Sequence, residues 1–554
     1  MVLRHVTALC SLLSSAISHD LTSTSTEPGH TMKPSYASVP ALLAVFQQGT
    51  CCFSDHCAGF SELLVTQLPN TTTIRSSDYV AAGTNLSIPS NHPTCAAFST
   101  VVPYSFCRVQ MVSETGPSSA VELEAWLPLN WTGRFLEVGN GGLGGCLAYT
   151  DIDYGASRGF ATVGTNNGHT GNYGEPFYDN PGVLEDFAYR AIHTGAVLGK
   201  QTVEAFYGKK HSKSYYLGCS TGGRQGFMEA QNFPNDFDGI TAGAPAFAWA
   251  GLMVWEGYFA TITGPPGSPT FLSPELWAVV LKDLYEQCDD LDGHVDGVIE
   301  DPDLCQYKPE GLICGSENSS DCLTGLQAET VRRVFSPLYD RQGKQVYPRF
   351  APGGDSSTRL WNGEMFPYTL DWLRYVVLKD PSWNGSVGLD EIEAAQNAET
   401  FGINAYNPDL SGAMNSGTKI MHYHGLQDEL ISSDNSDRYY QLVTQTMSLP
   451  PKELDEFYRY FRISGMAHCT KGTGAFNIGN RASNLAGEEA EGNVLAAMVQ
   501  WVEEGKAPEY VLGTAFTDDS KDTIKFQRKH CKYPARGRYS GSGDPNVAES
   551  WECV

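Results

Sequence analysis

Gly218-Cys219-Ser220-Thr221-Gly222 constrains this chain more than any other five residues. A serine in a Gly-x-Ser-x-Gly run belongs on a sharp turn between a strand and a helix, where small neighbours let the chain reverse and expose the hydroxyl. Both flanks agree. Ser214-Tyr215-Tyr216-Leu217 predicts a strand, and residues 221–233 predict a helix. Short matches arise by chance in a chain of 554 residues, so the flanks carry the weight. A second aromatic, strand-like run, Phe457-Tyr458-Arg459-Tyr460-Phe461-Arg462-Ile463, precedes His468-Cys469. A cysteine therefore adjoins both Ser220 and His468. In an oxidising compartment Cys219 and Cys469 can bond, which would hold a nucleophile beside its base.

A serine nucleophile and its histidine need an acid, which in an α/β-hydrolase lies in the loop after a late strand and before the histidine. Lys419-Ile420-Met421-His422-Tyr423-His424 predicts that strand, and Asp428 is the first acid beyond it. Glu429 and Asp434 compete for the role. His422 and His424, on the strand itself, are expected to be packed or hydrogen-bonded rather than catalytic. The chain between Ser220 and Asp428 is far longer than a few β/α units need, so an inserted domain is expected there. The strand runs Arg134–Val138 and Gly159–Val163 and the amphipathic stretches 186–206 and 491–504 alternate, as in a mostly parallel sheet covered on both faces. The fold class expected is α/β: an α/β-hydrolase fold with a large inserted lid domain. Its parts would be catalytic segments 51–243 and 417–554 around a lid at 244–416.

Gly139-Asn140-Gly141-Gly142-Leu143-Gly144 matches a dinucleotide-binding spacing. It lacks the following helix and the ribose-binding acid that the motif requires. Glycines after an early strand suit an oxyanion loop better, because backbone N–H groups can approach a developing negative charge. One donor is expected from Gly141 or Gly142 and the second from the Thr221 N–H. The aromatics of 247–259 would form core packing or the wall of an acyl pocket.

The net charge of −26 argues against nucleic acid, whose binding depends on cations meeting phosphates. Residues 1–18 resemble a signal peptide, and 19–50 form a Ser/Thr/Pro-rich arm. No later apolar run can span a membrane, so a secreted protein is expected. Sequons stand at Asn70, Asn85, Asn130, Asn318 and Asn384. Of the 15 cysteines, removal of Cys10 with the signal leaves an even set, whose connectivity spacing cannot give. No CxxC or HExxH suggests zinc. Residues 288–300 carry Asp289, Asp290, Asp292, Asp296 and Glu300 among glycines. That composition suits calcium, although the spacing is not that of an EF-hand.

Residues 215–226, His424-Gly425-Leu426-Gln427-Asp428 and Ser464-Gly465-Met466-Ala467-His468-Cys469 resemble the tannase/feruloyl esterase family, secreted serine esterases in which a disulfide joins the residues beside Ser and His. The resemblance runs from about Cys57 to Val554 and is closest to type B feruloyl esterases. It implies disulfides Cys57–Cys107, Cys95–Cys146, Cys219–Cys469, Cys288–Cys305, Cys314–Cys322 and Cys531–Cys553, with Cys51 and Cys52 additional to the set. It also implies a structural calcium held by Asp289, Asp292 and Asp296 side chains and the His294 and Val298 carbonyls, with no organic cofactor. The expected partner is a phenolic ester, hydroxycinnamoyl first and galloyl as the alternative, met by a monomer or homodimer. The competing classes are an inactive hydrolase-fold binding module and a serine peptidase.

Overall fold

The computed structural model describes residues 52–89, 91–315 and 321–554. The signal peptide and arm expected at 1–50, Cys51 and the sequon at Asn318 lie outside the described residues.

A nine-stranded sheet organises the molecule. Its strands are β1 (Thr72–Val80), β2 (Phe106–Gly116), β3 (Ser119–Pro128), β4 (Arg134–Val138), β5 (Ala161–Thr165), β6 (Lys213–Cys219), β7 (Gly239–Gly243), β8 (Lys419–Gly425) and β9 (Tyr458–Ile463). They lie in the order β1-β2-β3-β5-β4-β6-β7-β8-β9. From β5 to β9 every pairing is parallel, whereas β1, β2, β3 and β5 pair antiparallel. The fold is therefore mixed α/β with a mostly parallel central sheet.

Strand periodicity sends alternate side chains to opposite faces. Phe135, Tyr216, Ile420, Tyr458 and Tyr460 join one buried cluster. Leu136, Tyr215, Leu217, Met421, Phe461 and Ile463 join the other. Helices cover the faces, among them α1 (Ala191–Tyr207), α2 (Thr221–Asn232), α3 (Trp249–Thr263), α4 (Pro274–Cys288), α5 (Asp434–Met447) and α6 (Val494–Glu504). Helix α6 begins where the Asn493 side chain accepts from the Leu495 and Ala496 N–H groups, and it ends at left-handed Gly505. The strand expected at 159–163 lies two residues later, because Gly159 (φ 78°) forms the turn before it.

Between β7 and β8 the chain builds a third apolar cluster, led by Trp249, Trp255, Trp277, Trp361 and Trp372. Leu143, Leu430 and Ile431, from loops at the end of the sheet, and Phe187, from the helical turn Asp186–Arg190, close it. Trp249, Trp255 and Phe259 are thereby core residues with almost no exposed surface.

Candidate active site

Three strand ends supply the central residues. Ser220 follows β6 at φ 67°, ψ −124°, a conformation that costs a non-glycine residue energy and persists only when its surroundings enforce it. The Ser220 N–H donates to the Gly243 carbonyl at 3.0 Å, and its own carbonyl accepts from Ala246 N–H at 3.2 Å. The flanking glycines are steric necessities. A Cβ on Gly218 would stand 2.6 Å from the Gly222 carbonyl oxygen, and one on Gly222 would stand 3.0 Å from that of Asn140.

Asp428 follows β8 and His468 follows β9. His468 Nδ1–H donates to Asp428 Oδ2 at 2.8 Å, and His468 Nε2 lies 2.9 Å from Ser220 Oγ. Asp428 is fully buried, and its other oxygen accepts from the Leu430 and Ile431 N–H groups at 2.9 and 2.8 Å. Burial pushes this carboxyl up, but the adjoining imidazoles outweigh burial and hold it below its ordinary value. Burial disfavours a charged His468, yet the charge and hydrogen bond of Asp428 leave its pKa above the ordinary one. The set can deprotonate a serine hydroxyl and store the proton on a stabilised imidazolium.

The competing acids fall elsewhere. Glu429 Oε2 accepts from the His468 main-chain N–H at 2.8 Å, so it braces the histidine backbone. Asp434 accepts from Arg349 Nε at 3.0 Å. Cys219 and Cys469 are bonded, with Cα atoms 6.1 Å apart.

A profile described as tannase and feruloyl esterase matches residues 107–398 and 390–554. The chain belongs to the tannase and feruloyl esterase family. It is accordingly a carboxylic ester hydrolase. It is 49% identical over 506 residues to the probable feruloyl esterase B-2 of Aspergillus oryzae, covering 91% of this chain and 96% of that one. Two crystal structures are similar over 91% of this chain and the whole of theirs, each with TM-score 0.88. They are an esterase from Aspergillus oryzae at 49% identity and feruloyl esterase B from Aspergillus oryzae at 46%.

The glycine loop of this esterase is held against the elbow. Thr221 Oγ1 donates to the Gly142 carbonyl at 2.6 Å. Gln225 accepts from the Asn140 N–H at 2.9 Å and donates to Asn140 Oδ1 at 3.0 Å. Among the described residues, no acceptor engages the main-chain N–H groups of Gly141, Gly142 or Thr221. The segment between β7 and β8 reaches the same place. Tyr368 Oη accepts from Asn172 Nδ2 at 2.7 Å and lies 2.6 Å from where a Gly142 Cβ would be. Ser356 Oγ donates to the Glu429 carbonyl at 2.7 Å.

Sequence reasoning did not anticipate what lies behind Asp428. His424 Nε2–H points at Asp428 Oδ2 (3.2 Å) and the Ile431 carbonyl (3.1 Å). Both are acceptors, so this nitrogen carries the hydrogen and Nδ1 accepts from Ser436 Oγ at 2.6 Å. Ser436 in turn accepts from His422 Nε2–H at 3.0 Å, and His422 Nδ1 accepts from Tyr458 O–H at 3.0 Å. All five residues are buried, and burial holds His422 well below its ordinary pKa, with His424 adding to the effect. A chain of donors thus converges on one carboxylate. The four-residue spacing of His424 and Asp428 was the only signal of it in the sequence.

The six disulfides Cys57–Cys107, Cys95–Cys146, Cys219–Cys469, Cys288–Cys305, Cys314–Cys322 and Cys531–Cys553 are present, and Cys52 is bonded as well. In the acidic loop, Asp289 accepts from Gly297 N–H at 2.9 Å, and Asp292 from the N–H groups of His294 (3.0 Å) and Glu300 (3.2 Å). Asp296 accepts from Val298 N–H and pairs with Arg528, which also meets Glu300 at 2.8 Å. Arg528 thus meets two of the four carboxylates, Asp296 and Glu300, and the candidate ligands are all oxygens, the type calcium prefers. Asn70, Asn85, Asn130 and Asn384 are exposed.

Proposed function

We propose that this chain is a secreted serine esterase that hydrolyses feruloyl or coumaroyl esters of plant cell-wall material, on an α/β-hydrolase fold whose residues 244–416 form a lid. The observation that carries the mechanism is the unbroken line of hydrogen bonds Ser220–His468–Asp428. Ser220 Oγ attacks the ester carbonyl as its proton passes to His468 Nε2. Asp428 fixes the imidazole tautomer and stabilises the imidazolium. The N–H groups of Thr221 and of Gly141 or Gly142 receive the oxyanion, since they carry no protein acceptor to be displaced. His468 then protonates the leaving alcohol. Water, deprotonated by the same histidine, releases the phenolic acid.

The substrate class rests on the relatives named feruloyl esterase B, at 49% identity over 91% of the chain. The lid reading is supported by Tyr368 above the glycine loop and Ser356 against the acid loop. Six disulfides support export, because such bonds persist in oxidising compartments. The exposed sequons would then carry glycans. Calcium suits the uncompensated charge of the acidic loop. The side chains of Asp289, Asp292 and Asp296 and the carbonyls of His294 and Val298 would hold it, and its contribution would be rigidity.

Hydrolysis of methyl ferulate, coumarate, caffeate and gallate by the purified protein tests the substrate class. Ferulate or coumarate should be preferred; gallate alone being cleaved would make the enzyme a tannase. Ser220→Ala should lower turnover by about 10⁴-fold or more while leaving the fold intact. Near-normal turnover by the folded variant would remove Ser220 from the mechanism.

A further inference from the structure

We propose a second cation site behind the nucleophile elbow, in which His193, Glu229 and Asp236 bind a divalent transition metal such as zinc. His193 lies on α1, Glu229 on the last turn of α2, and Asp236 in the loop that follows α2. One potential ligand atom from each lies within 4.8 Å of the other two, and His193 Nδ1 is 2.6 Å from Asp236 Oδ2. Tetrahedral zinc bonds of about 2.0–2.2 Å set donors about 3.3–3.6 Å apart, so binding would open the His193–Asp236 pair by about 1 Å and draw Glu229 to the same spacing. One imidazole nitrogen and two carboxylates form a donor set suited to zinc and its first-row neighbours.

Two further observations point to a missing ligand. Glu229 is fully buried, and neither of its carboxylate oxygens has a hydrogen-bond partner. The gap beside it, bounded by Asn167, Gln225 and Met228, is too narrow for a water molecule. On the neighbouring strand β4, Glu137 is in the same state, buried with both oxygens unpartnered. Leaving such groups bare is costly. The local charge also fits. Three carboxyls, Glu137, Glu229 and Asp236, face one cation, Lys200, whose ammonium donates to the Asp236 carbonyl. If all three are ionised, the excess is that of one divalent ion. His193 is partly exposed at 35% and stacks on Phe233, so a metal can enter from solvent and keep a water on its open side.

The metal would clamp α1 to the end of the helix that Ser220 begins. It would act on stability and stay outside the chemistry. The competing explanation is that protons do the balancing: burial first, and then the neighbouring carboxylates, raise both Glu137 and Glu229, and a protonated Glu229 can share its proton with Asp236.

The test uses the full-length protein after chelation. Cobalt(II) should bind at one per chain with a visible d–d band that excess calcium does not displace. Zinc chloride at saturation should raise Tm by about 3–5 °C. Both responses should vanish in His193→Asn and Glu229→Gln and survive in the Asp289→Ala, Asp292→Ala variant, which separates this site from the calcium loop. Absence of the band, or a zinc response unchanged in His193→Asn and Glu229→Gln, would overturn the site. So would Glu229→Gln gaining stability in a protein indifferent to zinc, the mark of a protonated acid.

Discussion

Asp428 and Glu229 are both fully buried carboxyls in the half of the molecule built on the large sheet, and they are in opposite states. Asp428 accepts from two backbone N–H groups and two imidazoles, and its pKa is held down. Glu229 receives no N–H or hydroxyl donor, and burial, with the Asp236 carboxylate adding to it, drives its pKa well up. Burial by itself does not set the charge of a buried acid; the donors delivered to it do. The fold delivers donors to the carboxylate that faces His468 and leaves them out at Glu229.

Removing the charge at the well-served acid should have the largest consequence. Asp428→Asn should lower kcat by about 10⁴-fold, because the amide no longer imposes the useful imidazole tautomer. Glu429→Gln should cost less than about tenfold, since a glutamine oxygen still accepts from the His468 N–H. Steady-state kinetics on methyl ferulate would rank the two, and the reverse ranking would move the acid to Glu429.

Removing one donor should be milder. His424→Leu takes one N–H from a buried carboxylate, an interaction of about 1.5–3 kcal/mol, so kcat should fall about tenfold or more. The pH profile gives a sharper readout than the rate. In the proposed mechanism His468 must be neutral, so kcat/KM should fall as pH drops through the raised histidine pKa, above the ordinary value of about 6.5. With the His424 donor gone, Asp428 becomes more basic and pulls harder on the imidazolium, so the acid limb should move to higher pH in His424→Leu. In Asp428→Asn it should move lower. His424→Gln, which retains an N–H, should recover part of the loss. An acid limb that stays fixed in all three would show that Asp428 is indifferent to the chain behind it.

The smallest effect is expected at the poorly served acid. Glu229→Gln removes a carboxyl without changing its shape and should alter kcat by less than threefold, about 0.65 kcal/mol. A large loss would mean that the rear cluster communicates with Ser220 through α2.

Much of the site was legible because it is local. The glycines around Ser220 have a stereochemical reason that any reader of the sequence can reconstruct, and the acid and histidine each follow a strand whose apolar run is contiguous. The antiparallel edge β1 to β3 was not anticipated, because its inward residues alternate with Arg, Gln, Glu and Ser, a weaker signal than the all-buried runs of β5 and β9. Local sequence also could not show that Glu429 grips the backbone of His468, or that Tyr458 and Ser436 stand in line behind Asp428.

The sequence by itself determined the elbow at Ser220, the strands that precede the candidate acids and His468, and the cysteines beside Ser220 and His468, because each is a property of neighbouring residues. Tertiary structure decided which of Asp428, Glu429 and Asp434 faces the imidazole. It also decided which buried acids receive donors and which glycine-loop N–H groups stay open. The first of these rests on His468 meeting Asp428 40 positions away and Ser220 248 positions away, and only the assembled sheet brings such partners within 3 Å.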